Sequence, residues 1–173
     1  AASIFIALHW TGEIDELKVH IRDFVTNQFE YNMNRTLNEI RPRYEFDVSC
    51  QGSVPEAIIA FLEADSYEDA IRNAVSLGGD ADTQGAIAGA IAACVYPIPE
   101  YIIKECQKRL SDDLLKVVIR FEDYLDNEWQ NKISLPCSCL QPKRETVEPE
   151  KYVDIIRDNI DLIHKSIKIA VVM

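Results

Sequence analysis

The chain has 173 residues, 47% of them hydrophobic, and eighteen Lys and Arg face twenty-nine Asp and Glu for a formal charge of −11. One sizeable core is within reach at this length, whereas nucleic-acid binding, which rests on neutralising phosphates, is excluded as the expectation. Five cysteines, Cys50, Cys94, Cys106, Cys137 and Cys139, form an odd set without disulfide-framework spacing; this predicts a reducing, cytoplasmic setting.

The predicted elements are helices almost throughout. Ser3 to Leu8 is an apolar run that reads as lying inside a helix. Ile14, Leu17, Ile21, Phe24 and Val25 recur at threes and fours after Gly12, which predicts an amphipathic helix. Arg35 to Cys50, interrupted by Pro42, predicts a loop with a short helix. Ser53 and Glu56 have capping-box spacing ahead of an apolar helix over Ala57 to Leu62. Asp65 or Ser66 can cap the next helix, whose Ala70, Ile71, Ala74 and Val75 share a face and which ends at Gly78.

Ser76 to Ala93 reads SLGGDADTQGAIAGAIAA and carries the most chemistry. Side chains two apart on a helix point to nearly opposite sides, so Asp80 and Asp82 can converge only if they stand on the turn before it. Gly78 and Gly79 supply that turn, because a residue without Cβ takes positive φ at little cost. Carboxylate and hydroxyl oxygens are hard ligands suited to Mg²⁺, Ca²⁺ or Mn²⁺ rather than to structural zinc. A lone Asp-x-Asp is more often a solvated turn or a cap. An EF-hand fails because Gln84 stands at its fifth position and Ile91 where a bidentate Glu belongs. Gly85 and Gly89, set among alanines, let neighbouring helices approach, and the apolar run Gly85 to Ile98 reads as a buried central helix. It is shorter than the roughly 20 residues of a membrane span.

Pro97 and Pro99 end that helix and begin another. Ser111 caps a further one, where Leu114, Val118, Phe121 and Leu125 form a core-facing stripe; Phe121 and Tyr124 read as core rather than as a stacking pair. A polar segment with Pro136 and Pro142 follows. Cys137 and Cys139 lack the further ligands of a zinc site. Val153, Ile156, Ile160 and Ile163 predict a last helix from Pro149 to about His164, before an apolar tail over Ile167 to Met173. No repeat of roughly 20–50 residues is evident, which disfavours a solenoid.

Gly-Gly-Asp-x-Asp-Thr before an Ala/Gly-rich helix resembles the C-terminal metal motif of the ADP-ribosylglycohydrolase family, which includes the dinitrogenase reductase-activating glycohydrolases. Ser53, Val54 and Pro55 and the two helices that follow resemble the segment leading into it. The resemblance implies an all-α, compact multi-helix orthogonal bundle, with residues 1–127 as the C-terminal half of such a domain, 128–148 as a connecting segment and 149–173 as a helix with its apolar tail. It implies that Asp80, Asp82 and Thr83 are ligands of a dinuclear Mg²⁺ centre, with Mn²⁺ as a substitute, and that Val48 and Ser49 line the pocket for ADP-ribose; ordinary loop packing is the alternative for that pair. The expected partners are ADP-ribose or an ADP-ribosylated protein, without nucleic acid or membrane.

The family's second ligand cluster, a Thr-Asp-Asp type motif with an acidic residue near a Gly-Asp segment, and its substrate-contacting histidine belong to a half that precedes Ala1. None of His9, His20 or His164 stands in a comparable setting. The expectation is an incomplete site with little hydrolase activity by itself, completed by a missing N-terminal half or a homo-oligomer. Its alternatives are a non-catalytic ADP-ribose-binding or regulatory module, and a helical scaffold whose aspartates merely cap a helix.

Overall fold

The structure, a computed structural model, describes residues 1–132. Among the described residues there are eight helices and no strand, as the periodicity predicts. They fall into two compact units, one covering Ala1–Ile98 and one beginning at Pro99.

In the first unit, α1 (Ala2–His9) and α2 (Ile14–Phe29) pack together, α3 (Leu37–Ile40) is a single turn, and α4 (Cys50–Leu62), α5 (Tyr67–Val75) and α6 (Ala81–Ala92) pack mutually. The core gathers Ile6 from α1, Leu17, Ile21, Phe24 and Val25 from α2, Leu37 and Ile40 from α3, the α4 residues from Ile58 to Leu62, and Ala88 and Ile91 from α6. The 3.6-residue period of α2 accounts for its buried face, Leu17, Ile21, Phe24 and Val25.

The central helix is α4 rather than the expected α6. Every residue from Pro55 to Leu62 is buried, Glu56 included, so α4 is enclosed on all sides over that stretch. On α6 burial follows one stripe, Gln84, Gly85, Ala88, Gly89, Ile91 and Ala92, while Asp82, Thr83 and Ala86 are exposed. Small side chains made α6 look buried from sequence, but what they permit is close approach along that stripe. A β-carbon on Gly89 would meet Ile71 Cδ1 of α5 at 2.7 Å.

The expected capping box at Ser53 and Glu56 does not form. Helix α4 begins at Cys50, with the Ser49 hydroxyl accepting from the Gly52 N–H at 3.1 Å. Pro55 therefore lies inside the helix, and Ser53 bonds back to the Ser49 carbonyl at 2.7 Å. Glu56 is instead turned to Arg35 in a bidentate pair, both bonds 2.8 Å. The capping box of this unit stands at Thr36 and Glu39. At α5 Ser66 is the cap, accepting from the Asp69 N–H at 3.1 Å. That helix ends at Val75, which is exposed, and a turn carries the chain to Gly78.

The second unit begins with α7 (Glu100–Arg109), capped by Pro99, and continues with α8 (Asp112–Lys132). Helix α7 buries no residue and carries surface pairs such as Glu100–Lys104 at 2.7 Å and Glu105–Arg109 at 2.7 Å. On α8 the stripe departs from expectation at its first position, Leu114, while the Leu125 side chain lies outside the described residues. Leu114 is 55% exposed, whereas Leu115, Val118 and Phe121 are half-buried; one residue turns a helix by about 100°, enough to move a side chain off the face. Helix α8 runs on to Lys132, past the expected boundary at 127. The remainder of the connecting segment, Cys137, Cys139, the helix expected from Pro149 and the tail lie outside the described residues. None of the described helices is long and apolar enough to cross a membrane.

Candidate metal centre

The turn into α6 is built as the glycines predict at one position and differently at the other. Gly78 adopts φ +79°, in the left-handed region that costs other residues strain. Gly79 is needed for space: a β-carbon there would run into the Tyr44 ring. The backbone at Gly79 thus comes close to a side chain of the same unit.

Asp80 is the N-cap of α6, with ψ 73° and its carbonyl accepting the first helical bond from Gln84 N at 2.9 Å. Its carboxylate makes no capping bond. Asp82 is the second residue of the helix, not part of the preceding turn as expected. One aspartate is thus outside the helix and the other inside it. The Asp82 carboxyl is held below the usual carboxylate range first by a hydrogen bond with the Asp80 side chain, then by backbone N–H groups including that of Thr83. The Thr83 N–H donates to Asp82 Oδ1 at 2.9 Å. Asp80 is half-buried, and Asp82 and Thr83 are exposed, so the helix start faces outward.

Two neighbouring carboxylates repel each other when both are ionised, and a cation held between them would relieve that repulsion. The donor set is oxygen only: two carboxylates and the Thr83 hydroxyl. It fits part of a hard-cation shell, since Mg²⁺ is commonly held by one or two carboxylates and keeps several waters. Among the described residues no group of three or more His, Cys, Asp or Glu is placed to hold a metal.

Val48 and Ser49 lie on the loop that enters α4. Val48 is 72% exposed, while the Ser49 hydroxyl is engaged in the α4 cap. Asp47 braces this entry, accepting from the Ser49 N–H at 2.7 Å, and a β-carbon on Gly52 would overlap the Asp47 carboxylate. Those bonds to Ser49 hold Asp47 below the usual carboxylate range.

Two residues that the sequence did not single out for the site join these helix starts. Tyr44 donates its hydroxyl proton to the Gly52 carbonyl at 3.0 Å and accepts from Gln84 Nε2 at 2.7 Å. Burial, then the negative charges of Glu56, Asp47 and Asp80, raise the Tyr44 pKa, which keeps the phenol protonated as a donor. Gln84 is fully buried. A polar residue on the buried stripe of α6 was a legible signal for Gln84; Tyr44, forty residues from its partner in sequence, gave none. Tyr44 also lines an open depression of about 660 Å³ with Arg35, Glu39, Arg43 and Glu56, but Asp80, Asp82 and Thr83 do not line it.

The family model described as ADP-ribosylglycohydrolase matches residues 4–132, about three quarters of the chain. The chain belongs to the ADP-ribosylglycohydrolase family. No curated protein and no solved structure matches it. Membership in the ADP-ribosylglycohydrolase family implies glycohydrolase chemistry, metal-dependent in general, with which the oxygen donors at the start of α6 are compatible.

Proposed function

We propose that this chain is the metal-binding part of a Mg²⁺-dependent ADP-ribosyl hydrolase that cleaves the glycosidic bond between ADP-ribose and a protein side chain or small acceptor. Asp80, Asp82 and Thr83 are its metal ligands, and Val48 and Ser49 border the ADP-ribose. The observation that carries the reading is the N-cap aspartate that does not cap: Asp80 leaves the first-turn N–H groups and lies against Asp82. A scaffold role would have used Asp80 as a cap.

Cleavage at an anomeric carbon passes through an oxocarbenium-like transition state. A bound Mg²⁺ orients substrate oxygens and lowers the pKa of coordinated water. The chain's own part is to hold the ion through Asp80 and Asp82, with Thr83 adding a neutral oxygen, on a turn whose Gly78 conformation sets where Asp80 projects. Val48 offers an exposed apolar surface at the entry of α4. A two-ion centre needs more carboxylates than these, and we assign the remainder to residues outside the described ones or to a partner chain, a second copy included. The free thiols of Cys50, Cys94 and Cys106 suit a cytoplasmic setting.

The lack of a third acidic ligand among the described residues favours one second reading, a module that binds ADP-ribose without turnover. Isothermal titration of ADP-ribose with and without Mg²⁺, on the wild type and Asp80→Asn/Asp82→Asn, tests the site. Metal-dependent binding lost in the variant supports it, and equal binding in both removes the aspartates from it. Turnover of an ADP-ribosylated arginine or serine peptide by these 173 residues alone would overturn the binding-module reading and would exclude a different partner chain as the source of the remaining ligands.

A further inference from the structure

The bridge from Gly52 through Tyr44 to Gln84 spans the first turns of α4 and α6, the two helix starts that carry the proposed pocket and metal residues. We infer that Tyr44 is a positioning residue, which through Gln84 fixes the start of α6, and with it Asp80 and Asp82, against the Val48–Ser49 entry of α4. The inference rests on the metal reading above and adds two residues to it.

Three observations converge. The Tyr44 ring packs where a Gly79 β-carbon would be, directly before Asp80 in the chain. Its hydroxyl is saturated by one acceptor and one donor, one on each helix. Gln84 Oε1 is buried with no hydrogen-bond partner among the described residues, so on packing grounds the amide is a liability that an apolar side chain of similar size would remove. What the amide gains is the bond to Tyr44. Gln84 stands two residues after Asp82 and four after Asp80, in the first turn of α6, so a rotation of that turn moves both aspartates together.

Mn²⁺ titration of the full chain, followed by paramagnetic broadening in ¹H–¹⁵N spectra, tests this. In the wild type broadening centres on the amides of Asp80 to Thr83 and is lost in Asp80→Asn/Asp82→Asn. Tyr44→Phe keeps the ring and the fold but weakens Mn²⁺ about tenfold or more, the usual effect of losing a residue that orients a ligand. Gln84→Leu does the same, and the double variant is no weaker than the weaker single, because both break the bridge at the Tyr44–Gln84 bond. Ile91→Val, a mild core change on the same helix, leaves the affinity unchanged, which separates positioning from stability.

If Tyr44→Phe binds like the wild type while the double Asn variant does not bind, the positioning role fails and the metal site stands. Additive losses would mean that Tyr44 and Gln84 act separately, which also overturns it. Wild-type spectra without localised broadening would remove the metal reading and this inference together. If Gln84→Leu does not fold, Tyr44→Phe against Ile91→Val still decides.

Discussion

Helices α4 and α6 begin on the same tyrosine and begin in opposite ways. At α4 the orphan N–H groups are met conventionally, by the Ser49 hydroxyl, with Asp47 closing over the entry. At α6 the residue best suited to cap, Asp80, does not cap and sits with a second carboxyl beside it. One start is finished by its own side chains. The other keeps its negative groups together at the positive end of a helix dipole, which offsets only part of their repulsion, an arrangement that supports the cation site proposed above.

The comparison breaks most visibly if α4 is not the centre of its unit. Phe61, fully buried on α4, is expected to cost about 3–5 kcal/mol on Phe61→Ala, read from chemical denaturation; a loss below 1 kcal/mol would displace α4 from that role. Tyr44→Phe leaves Gln84 Nε2 buried without its partner and is expected to cost about 1–3 kcal/mol by the same measurement. The two helix starts are then separated directly. Ser49→Ala should cost about 1 kcal/mol as a lost cap, while Asp80→Ala in metal-free buffer should leave the midpoint where it was.

Two smaller effects sharpen the picture of α6 and its C-terminal end. A β-carbon at Gly85 would meet only Val75 Cγ2 at 3.9 Å, so Gly85→Ala should stabilise by about 0.5–1 kcal/mol; Gly89→Ala should gain less, since Ile71 must yield. Burial pushes the Cys94 thiol up to about 11. The folded chain therefore holds this proton where the unfolded chain, at about 8.5, has released it. The contribution to stability is complete below about pH 8.5 and is lost as the pH rises toward the folded value. In peptide mapping after alkylation at neutral pH, Cys94 should be modified more slowly than the exposed Cys50 and Cys106.

Periodicity carried the helices well where a face is long, as in α2, because four apolar residues at helical spacing have one reading. It failed to rank α4 against α6, since an Ala/Gly-rich segment and an Ile/Phe-rich one both look buried, and only packing shows which is enclosed on all sides. The start of α4 was hidden by Pro55, which resembles a first-turn proline but lies inside the helix. At the candidate site, glycine and aspartate spacing made Gly78, Asp80 and Asp82 legible. The Arg35–Glu56 pair and the Tyr44–Gln84 bond were not, because both join residues distant in the chain and neither leaves a local pattern.

The central claim is that the start of α6 is held for a cation and not capped by its aspartates. Thermal unfolding of the wild type and Asp80→Asn/Asp82→Asn, each with and without Mg²⁺, tests it most directly. The account predicts that the variant is at least as stable as the wild type without metal and that Mg²⁺ raises only the wild type. A variant that melts lower without metal, with Mg²⁺ acting equally on both, would show that the aspartates serve the helix and not an ion.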